Sequence, residues 1–300
     1  MNVLIAGGSG FLGSALAKIL SRQGVVLTML TRKEQELGYY NYICEWDNLD
    51  RLLAKDFDLI INLCGDDISL HRWTIKRKEA IISSRLKSTR RLIQFIGNEE
   101  VLFMCASAIG GYPFSVEVQN EFNHLKYTHD NSGFCQEVVS KIELEVSNSN
   151  LKNYLLLRFG VVLGSQGIIK KLLPTAKLGM GTVIGNGSQL ISWIHVEDLC
   201  RAVIYLYNSK KYNNEVVNLT SPTPCTQKEL IDILCSSINK PRFLSMFKFF
   251  VPIIFGQMGV ELLLSSHNIE PKKLIDGNFK FHYPEITIAI NNLMLKDKNE

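Results

Sequence analysis

Residues 2–24, NVLIAGGSGFLGSALAKILSRQG, decide the fold of this chain. They open with a short apolar run that ends in glycines, which is typical of a fully buried parallel strand. The residues that follow have helical spacing, and Gly24 ends the helix. The apolar face of this helix is formed by Leu12, Leu16, Ile19 and Leu20. A buried strand, a glycine turn and a helix in this order predict the first unit of a doubly wound parallel α/β sheet.

Gly7, Gly10 and Gly13 form the turn between this strand and this helix. Glycine is needed where a turn is tight, where the backbone approaches a pyrophosphate and where the helix packs close to the sheet. The helix N-terminus adds unpaired N–H groups and the positive end of its dipole. The turn therefore predicts a dinucleotide site, which also includes Ser9, Phe11 and Leu12.

The end of the second predicted strand indicates which dinucleotide binds. NAD sites usually keep an acid there for the ribose 2′-OH, whereas NADP sites place an arginine against the 2′-phosphate. The strand VVLTMLTR ends in Thr31 and Arg32, with no acid at its tip. A guanidinium binds phosphate through paired hydrogen bonds, and a threonine hydroxyl adds one more. We expect NADP(H) as the cofactor; the alternative is that Arg32 is a solvated turn residue.

Strands and helices continue to alternate along the chain. Further apolar strands are predicted in FDLIINLCG, VLFMCASA and YLLLRFGVVLG, and helices at about residues 48–55, 76–97 and 134–148. This alternation predicts a Rossmann-type doubly wound parallel sheet. After about residue 165 the elements become shorter and glycine-rich, and include a helix that Thr226 would cap.

The change near residue 165 predicts two interleaved domains. The dinucleotide-binding domain takes residues 1–165, and a strand and a helix return to it at about residues 190–220. A smaller C-terminal domain on the substrate side takes residues 166–190 and 221–300. We expect this smaller domain to cover a cleft and not to fold separately.

The composition restricts the classes of function. Of 300 residues 46% are hydrophobic, and 33 basic residues nearly balance 29 acidic ones, for a net charge of +4. This balance gives little reason to expect nucleic acid or a membrane as a partner. Seven dispersed cysteines predict reduced thiols in a cytoplasmic compartment. No stretch reaches the ~18–20 apolar residues that cross a bilayer, and FKFFVPIIFG is expected to be a partly buried helix or loop.

Several motifs resemble the extended short-chain dehydrogenase/reductase superfamily: GGSGFLG, NLCG at 62–65, ASAIG at 106–110, LRFGVVLG at 157–164 and SWIHVEDLCRAV at 192–203. Residues 72–85 and 261–286 are similar to an atypical subfamily whose bacterial members are called epimerase family proteins. These end in a small domain of unknown function, here at about residues 247–293. The resemblance covers nearly the whole chain and implies a Rossmann-type fold with NADP(H) along the carboxyl ends of the strands.

The resemblance also implies which residues contact the cofactor. The adenosine side corresponds to Leu63, Cys64 and Gly65, and the nicotinamide side to Ala106, Ser107, Phe159, Val161 and Val162. A basic run on the long helix is ordinarily a solvated face, although one member can reach the phosphates. We take Arg85 to be that residue.

Typical superfamily enzymes carry Tyr-x-x-x-Lys on the helix that corresponds to residues 134–145, FCQEVVSKIELE. Matching a glutamate of the family pattern to Glu143 places Cys135 and Val139 at the two dyad positions. Neither residue can replace the pair, because a phenol of pKa near 10 needs a neighbouring cation to act as a base. Lys141 points away by helical geometry, and Cys135 is expected to be a small buried residue.

The remaining catalytic candidates lie at the end of the preceding strand. They are Ser107 and, in SAIGGYPF, Tyr112. Subfamily members tend to carry SAIGYYG at this point, so two of its residues are replaced here.

Three further side chains are candidates for a substrate cleft. Trp73 follows a strand end, where open α/β sheets bind ligands, although packing accounts for it equally well. Trp193 and His195 belong to the SWIHVEDL motif. The alternative for His195 is a hydrogen bond to the backbone that positions a cleft loop. His124 and His129 lack a metal-ligand pattern, so no metal site is predicted.

Two functions fit these observations. The first is an NADP(H)-dependent oxidoreductase or nucleotide-sugar epimerase acting on a small molecule, with Ser107 and Tyr112 polarising the substrate oxygen. The second is a non-catalytic NADP(H)-binding sensor or assembly factor, which the missing dyad favours. On the resemblance alone, a homodimer is also expected.

Overall fold

The computed structural model describes residues 1–33, 35–123, 125 and 133–297. In chain order its strands are β1 (Asn2–Ala6), β2 (Val26–Thr31), β3 (Tyr42–Glu45), β4 (Leu59–Asn62), β5 (Leu102–Ala108), β6 (Ser115–Gln119), β7 (Tyr154–Phe159), β8 (Val161–Leu163), β9 (Thr182–Ile184), β10 (Leu190–Ile191), β11 (Trp193–His195), β12 (Glu215–Leu219), β13 (Cys225–Thr226), β14 (Leu244–Met246) and β15 (His267–Ile269). Its helices are α1 (Phe11–Ser21), α2 (Ile75–Ile96), α3 (Phe134–Ser147), α4 (Ile168–Lys177), α5 (Val196–Ser209), α6 (Gln227–Ser237), α7 (Phe250–Gly259), α8 (Lys272–Asp276) and α9 (Ile286–Asp297).

Seven strands form one parallel sheet in the order β12-β7-β5-β4-β1-β2-β3. The chain begins in the middle at β1, runs outward to β3 and returns to place β4 on the other side of β1. The strand order therefore reverses between β1 and β4, and open α/β sheets bind ligands at such a switch point. The predicted doubly wound fold is confirmed.

Helices cover both faces of the sheet, as its continuous apolar strands require. On one face, α1 and α5 bury Leu16, Leu20 and Leu199 against the strands. On the other face, α2 and α3 do the same with side chains that include Leu92 and Val138. The carboxyl ends of the strands stay uncovered by these four helices and can hold a site.

A third buried cluster lies beside the sheet and includes Trp193, Leu230 and Ile290, from β11, α6 and α9. Short strand pairs interleave the C-terminal residues with earlier parts of the chain. β14 pairs with β9, and β15 pairs with the much earlier strand β6, in register at Ser115↔His267 and Gln119↔Ile269. Because the β15–β6 ladder crosses between the two parts, the smaller part cannot detach without breaking it.

Two predicted elements differ from the structure. The helix expected at residues 48–55 is replaced by two 3-10 turns, Trp46–Arg51 and Ala54–Asp56, because Leu52 and Leu53 are extended between them. The single strand expected in YLLLRFGVVLG splits at Gly160, where a Cβ would lie 2.8 Å from the Ser192 carbonyl oxygen. None of the helices within the described ranges is long and apolar enough to cross a membrane.

Candidate functional site

The glycine turn lies at the switch point, between β1 and α1. Gly7 has a φ of +79°, a left-handed conformation that favours glycine. A Cβ at Gly13 would lie 2.5 Å from the Gly7 carbonyl oxygen and the Gly8 Cα, so only glycine lets α1 approach the turn this closely. Gly10 is the N-cap of α1 and has no side chain to cover the first N–H groups. This bare helix N-terminus suits a pyrophosphate.

A side chain from outside the glycine turn also contacts its backbone. The buried Tyr40 hydroxyl lies 3.1 Å from the carbonyl oxygens of Gly8 and Gly13, and can donate to either. Ser9 is exposed at the tip of the turn, and Phe11 and Leu12 are half-buried at the start of α1. Sequence reasoning missed Tyr40, because nothing in its local pattern connects it to a turn 27 residues or more away.

Thr31 and Arg32 end β2 beside the turn, but only one of them faces solvent. Arg32 is exposed. Thr31 is buried and its hydroxyl donates to the Lys33 carbonyl oxygen at 3.1 Å. This hydroxyl shapes the turn, and its contact with a 2′-phosphate stays a prediction. Burial raises the pKa of the Cys64 thiol to about 11, while a hydrogen bond with Ser88 and the charge of Arg32 act to lower it.

Buried polar side chains shape the end of β4. The Asn62 amide donates to the Thr89 hydroxyl at 3.0 Å, and its oxygen accepts the Cys64 N–H at 3.1 Å. Leu63 and Cys64 are half-buried and Gly65 is exposed. A Cβ at Gly65 would lie 2.8 Å from the guanidinium carbon of Arg85. The long helix α2 thus brings Arg85 to the backbone of this strand end.

The family resemblance places the nicotinamide beside residues of β5, β7 and β8. Ala106 and Ser107 pair in register with Leu157 and Arg158 of β7. The half-buried side chains at this edge are Ala106, Phe159, Val161 and Val162. They share the sheet edge with the glycine turn, because the carboxyl ends of parallel strands meet there.

Ser107 belongs to a buried polar chain. Its hydroxyl donates to Oε1 of Glu143 at 2.7 Å. The Arg158 guanidinium donates to both oxygens of the same carboxylate, at 2.8 and 2.6 Å. Because its own proton is directed at Glu143, Ser107 presents its oxygen lone pairs to any further partner.

Helix α3 contains no tyrosine, and the two residues matched to the superfamily dyad, Cys135 and Val139, pack against glycines. A Cβ at Gly110 would lie 3.0 Å from the Cβ of Cys135, and one at Gly111 would lie 2.6 Å from a methyl group of Val139. The side chains of Cys135 and Val139 therefore pack directly against the glycine backbone of residues 110 and 111. Lys141 is 45% exposed and pairs with Glu137, which confirms that it points away. Burial, followed by the neighbouring Glu261, raises the pKa of the Cys135 thiol well above its ordinary value.

Tyr112 does not face a cleft. It is fully buried, its hydroxyl donates to Oδ1 of Asn218 at 3.0 Å, and the Arg158 guanidinium lies 4.8 Å from its ring. Burial raises the pKa of Tyr112 despite the lowering effect of Arg158. The expectation that Tyr112 polarises a substrate oxygen is therefore corrected: it supports the buried polar chain.

The three cleft candidates are core or positioning residues. The Trp73 ring packs edge-on against Phe134, with its N–H donated to the Ile68 carbonyl oxygen at 2.8 Å. Trp193 is fully buried in the third cluster. His195 is also buried: its Nδ1 accepts the Glu197 N–H at 3.2 Å, and it caps α5. Substrate contact by these three side chains is corrected, because none of them reaches an open surface.

Two buried carboxylates make long-range contacts that the sequence does not predict. Glu261 accepts the backbone N–H groups of Phe134 and Cys135, both at 2.9 Å, and so caps α3 from the C-terminal part of the chain. Asp198 accepts the N–H groups of His282 and Tyr283, which fastens the C-terminal part to α5. These four N–H groups are more than 80 residues from the carboxylates that accept from them, so no local signal predicts the contacts. No group of three or more metal-ligating side chains occurs in the described parts of the chain, and His124 and His129 lie outside them.

The fold and the glycine turn define a doubly wound, dinucleotide-binding α/β protein. Comparisons with known proteins agree. Residues 3–220 match the NAD dependent epimerase/dehydratase family, and residues 246–293 match a domain of unknown function, DUF1731. The chain is 30% identical to the epimerase family protein YfhF of Bacillus subtilis strain 168 over 306 residues, which cover 99% of both chains.

Solved structures are also similar. Human epimerase family protein SDR39U1 (isoform 2), solved with NADPH, has a TM-score of 0.88 and 25% identity, over 98% of this chain and 99% of that one. ADP-L-glycero-D-manno-heptose-6-epimerase of Helicobacter pylori has a TM-score of 0.76 at 16% identity, over 100% of this chain and 96% of that one, and so shares the fold. The chain belongs to the NAD dependent epimerase/dehydratase family and ends in a DUF1731 domain.

Proposed function

We propose that this protein binds NADP(H) and transfers a hydride to or from a small carbonyl or hydroxyl compound, as an oxidoreductase or an epimerase. The glycine turn carries the proposal, because Gly13 leaves room for a helix N-terminus that no side chain covers. The exposed Arg32 at the tip of β2, where NAD sites keep an acid, supports the phosphorylated cofactor. The NADPH bound to human SDR39U1 agrees with this choice.

The chain's own residues would manage the proton. When bound, the nicotinamide supplies the hydride acceptor or donor. Ser107 accepts the proton of a substrate hydroxyl on its oxygen and passes its own proton to the Glu143 carboxylate, 2.7 Å away. Arg158 holds this carboxylate in position through hydrogen bonds to both of its oxygens.

A second candidate is a non-catalytic NADP(H) sensor or assembly factor. The packing of Cys135 and Val139 on Gly110 and Gly111 favours it, because no acid–base pair can enter there without moving α3.

Titration of the purified protein with NADPH and NADH, followed by nicotinamide fluorescence, tests cofactor binding. Selective NADPH binding is expected; absence of binding to either cofactor would contradict both functions. A screen of small carbonyl and hydroxyl compounds for NADPH oxidation or NADP+ reduction then separates the two. Turnover that Ser107→Ala abolishes while NADPH binding is kept supports the enzyme. Turnover that survives Ser107→Ala would overturn the role given to Ser107.

A further inference from the structure

An apolar patch projects from the C-terminal part of the protein. We define the apolar patch as Phe243, Phe247, Phe249, Phe250, Ile253 and Ile254, which are exposed. Phe243, Phe247 and Ile253 are 82%, 69% and 63% exposed. Large aromatic side chains at this exposure are unusual, and a contiguous patch of them marks an interaction surface.

Three aromatic rings of the patch contact one another, and ordered structure holds both of its halves. The rings of Phe247 and Phe249 stack with centroids 6.0 Å apart, and those of Phe249 and Phe250 lie 4.0 Å apart. The parallel pairing of β14 with β9 supports its first half. The second half is the outer face of α7, whose inner face is anchored in the core by the buried side chains Val251 and Met258. Because one face of α7 is already buried in the core, the apolar side chains on its other face are left exposed to solvent.

The surface next to the patch extends its apolar character. β9 follows the end of α4, where Leu178 and Met180 are 72% and 44% exposed. A Cβ at Gly179, between them, would lie 3.8 Å from the Pro241 carbonyl oxygen, so this turn lies directly beside the start of the patch.

The two chain segments that form this surface carry basic side chains but no acidic ones of their own. Residues 165–192 and 233–260 contain six basic residues and no acidic residue: Lys170, Lys171, Lys177, Lys240, Arg242 and Lys248. Without these six, 27 basic residues face 29 acidic ones in the rest of the chain. Lys171 and Arg242 pair with acids from other segments, Asp67 and Asp232. Lys240 and Lys248 are exposed next to the aromatic side chains. The balanced net charge of the whole chain concealed this uneven distribution.

We propose that the apolar patch, with the basic residues around it, docks on the surface of an anionic phospholipid bilayer. Phenylalanine and isoleucine enter the boundary between headgroups and acyl chains, while lysines attract acidic headgroups. The protein lies on the membrane and does not span it. α7 has 10 residues, and Gly256 interrupts its helical geometry with a φ of +62°. This docking is independent of the function proposed for the cofactor cleft.

Co-sedimentation with vesicles tests this proposal. The protein is mixed with vesicles of phosphatidylcholine alone, or with vesicles in which phosphatidylglycerol makes up about one lipid in three. Each mixture is measured at low and at high salt. Binding to the anionic vesicles is expected, with a loss of roughly 10-fold or more at high salt, because screening weakens attraction to surface charge. Phe243→Ser/Phe247→Ser is expected to weaken binding by about 10-fold.

A charge variant keeps the test valid should the serine variant fold poorly. Lys240→Glu/Lys248→Glu is also expected to weaken binding by about 10-fold. Lys87→Glu/Lys211→Glu is the matched control, with the same change of charge at exposed positions on α2 and after α5, and should bind like the wild type. Equal loss in this control would overturn the proposal, since net charge alone would then explain binding. So would absence of binding to either vesicle, or dimerisation through Phe243 and Phe247 in sedimentation velocity without vesicle binding.

Discussion

Glu143 of α3 and Arg158 of β7 form a bidentate ion pair in which both side chains are only 5% exposed. This pair, and not a tyrosine and a lysine, joins the helix behind Ser107 to the sheet. Geometry of this kind satisfies both charges and orders the Ser107 hydroxyl at the same time. The pair therefore connects the stability of the fold to the chemistry proposed for the cleft.

Breaking this ion pair from one side should be costly. Arg158→Met is expected to lower the free energy of unfolding by about 3–5 kcal/mol, because it leaves a buried carboxylate uncompensated. Glu143→Leu/Arg158→Met should lose less than the single variant, since no charge stays behind. Urea unfolding measures both. Arg90→Met, which removes the exposed partner of Glu145, is the control and should leave stability nearly unchanged. A double variant less stable than Arg158→Met would contradict this account.

Cofactor selectivity should depend on Arg32. Arg32→Asp is expected to weaken NADPH binding by about 10- to 100-fold, the range for loss of a charged hydrogen-bonding partner, and to spare NADH. Fluorescence titration measures both affinities. Lys33→Asp makes the same change of charge at the next exposed position and should have a much smaller effect. Equal losses in the two variants would show that only the local charge matters.

Gly13 and Gly10 of the glycine turn should differ in how well they tolerate an added side chain. Gly13→Ala is expected to abolish detectable dinucleotide binding and to lower the melting temperature, because the new Cβ would lie 2.5 Å from backbone atoms that cannot move aside. Gly10→Ala is the milder comparison, with a nearest contact of 3.2 Å. Calorimetry and cofactor titration rank the two variants. A Gly13→Ala protein that binds like the wild type would refute the close-approach argument.

Acid should destabilise the protein through His267. Burial lowers the pKa of His267 to about 4, whereas its unfolded value is near 6.5. The unfolded chain therefore takes up this proton first as the pH falls. Stability is lost between about pH 6.5 and pH 4, by about 3 kcal/mol for this residue. Urea unfolding at pH 7, 5.5 and 4.5 should show a shallower loss for His267→Gln. The exposed His71→Gln should follow the wild type, and identical slopes in all three proteins would disprove the assignment.

The cap that Glu261 places on α3 should be measurable at the helix itself. Glu261→Ala is expected to cost about 1–2 kcal/mol of stability, as for other N-cap losses. It should also speed hydrogen exchange at the Phe134 and Cys135 amides, whose acceptor it removes. Glu137→Ala, an exposed change on the same helix, should leave both amides protected. Unchanged exchange in Glu261→Ala would mean that the cap contributes nothing.

The sequence predicted the fold well wherever the signal was local. The strand, turn and helix of residues 2–24, the helix α2 and the Thr226 cap of α6 all follow from periodicity, glycine and capping over short stretches. The site was predicted less well. Ser107 lies at the end of β5, as predicted, and contact of Arg85 with the phosphates stays a prediction, whereas the catalytic candidate Tyr112 and the cleft candidates Trp73 and Trp193 are buried. An aromatic residue at a strand end has the same local pattern whether it lines a cleft or packs beneath it.

The amino-acid sequence by itself determined the doubly wound sheet, the glycine turn and the lack of a tyrosine in helix α3. These depend on residue types at fixed short spacings, which backbone geometry converts directly into structure. Only the tertiary structure decided that Glu143 meets Arg158 and Ser107, and that Glu261 caps α3. It alone also brought Leu178 and Met180 beside the apolar patch. Such contacts join residues far apart in the chain, and their energies depend on burial and exact distance, which no local pattern encodes.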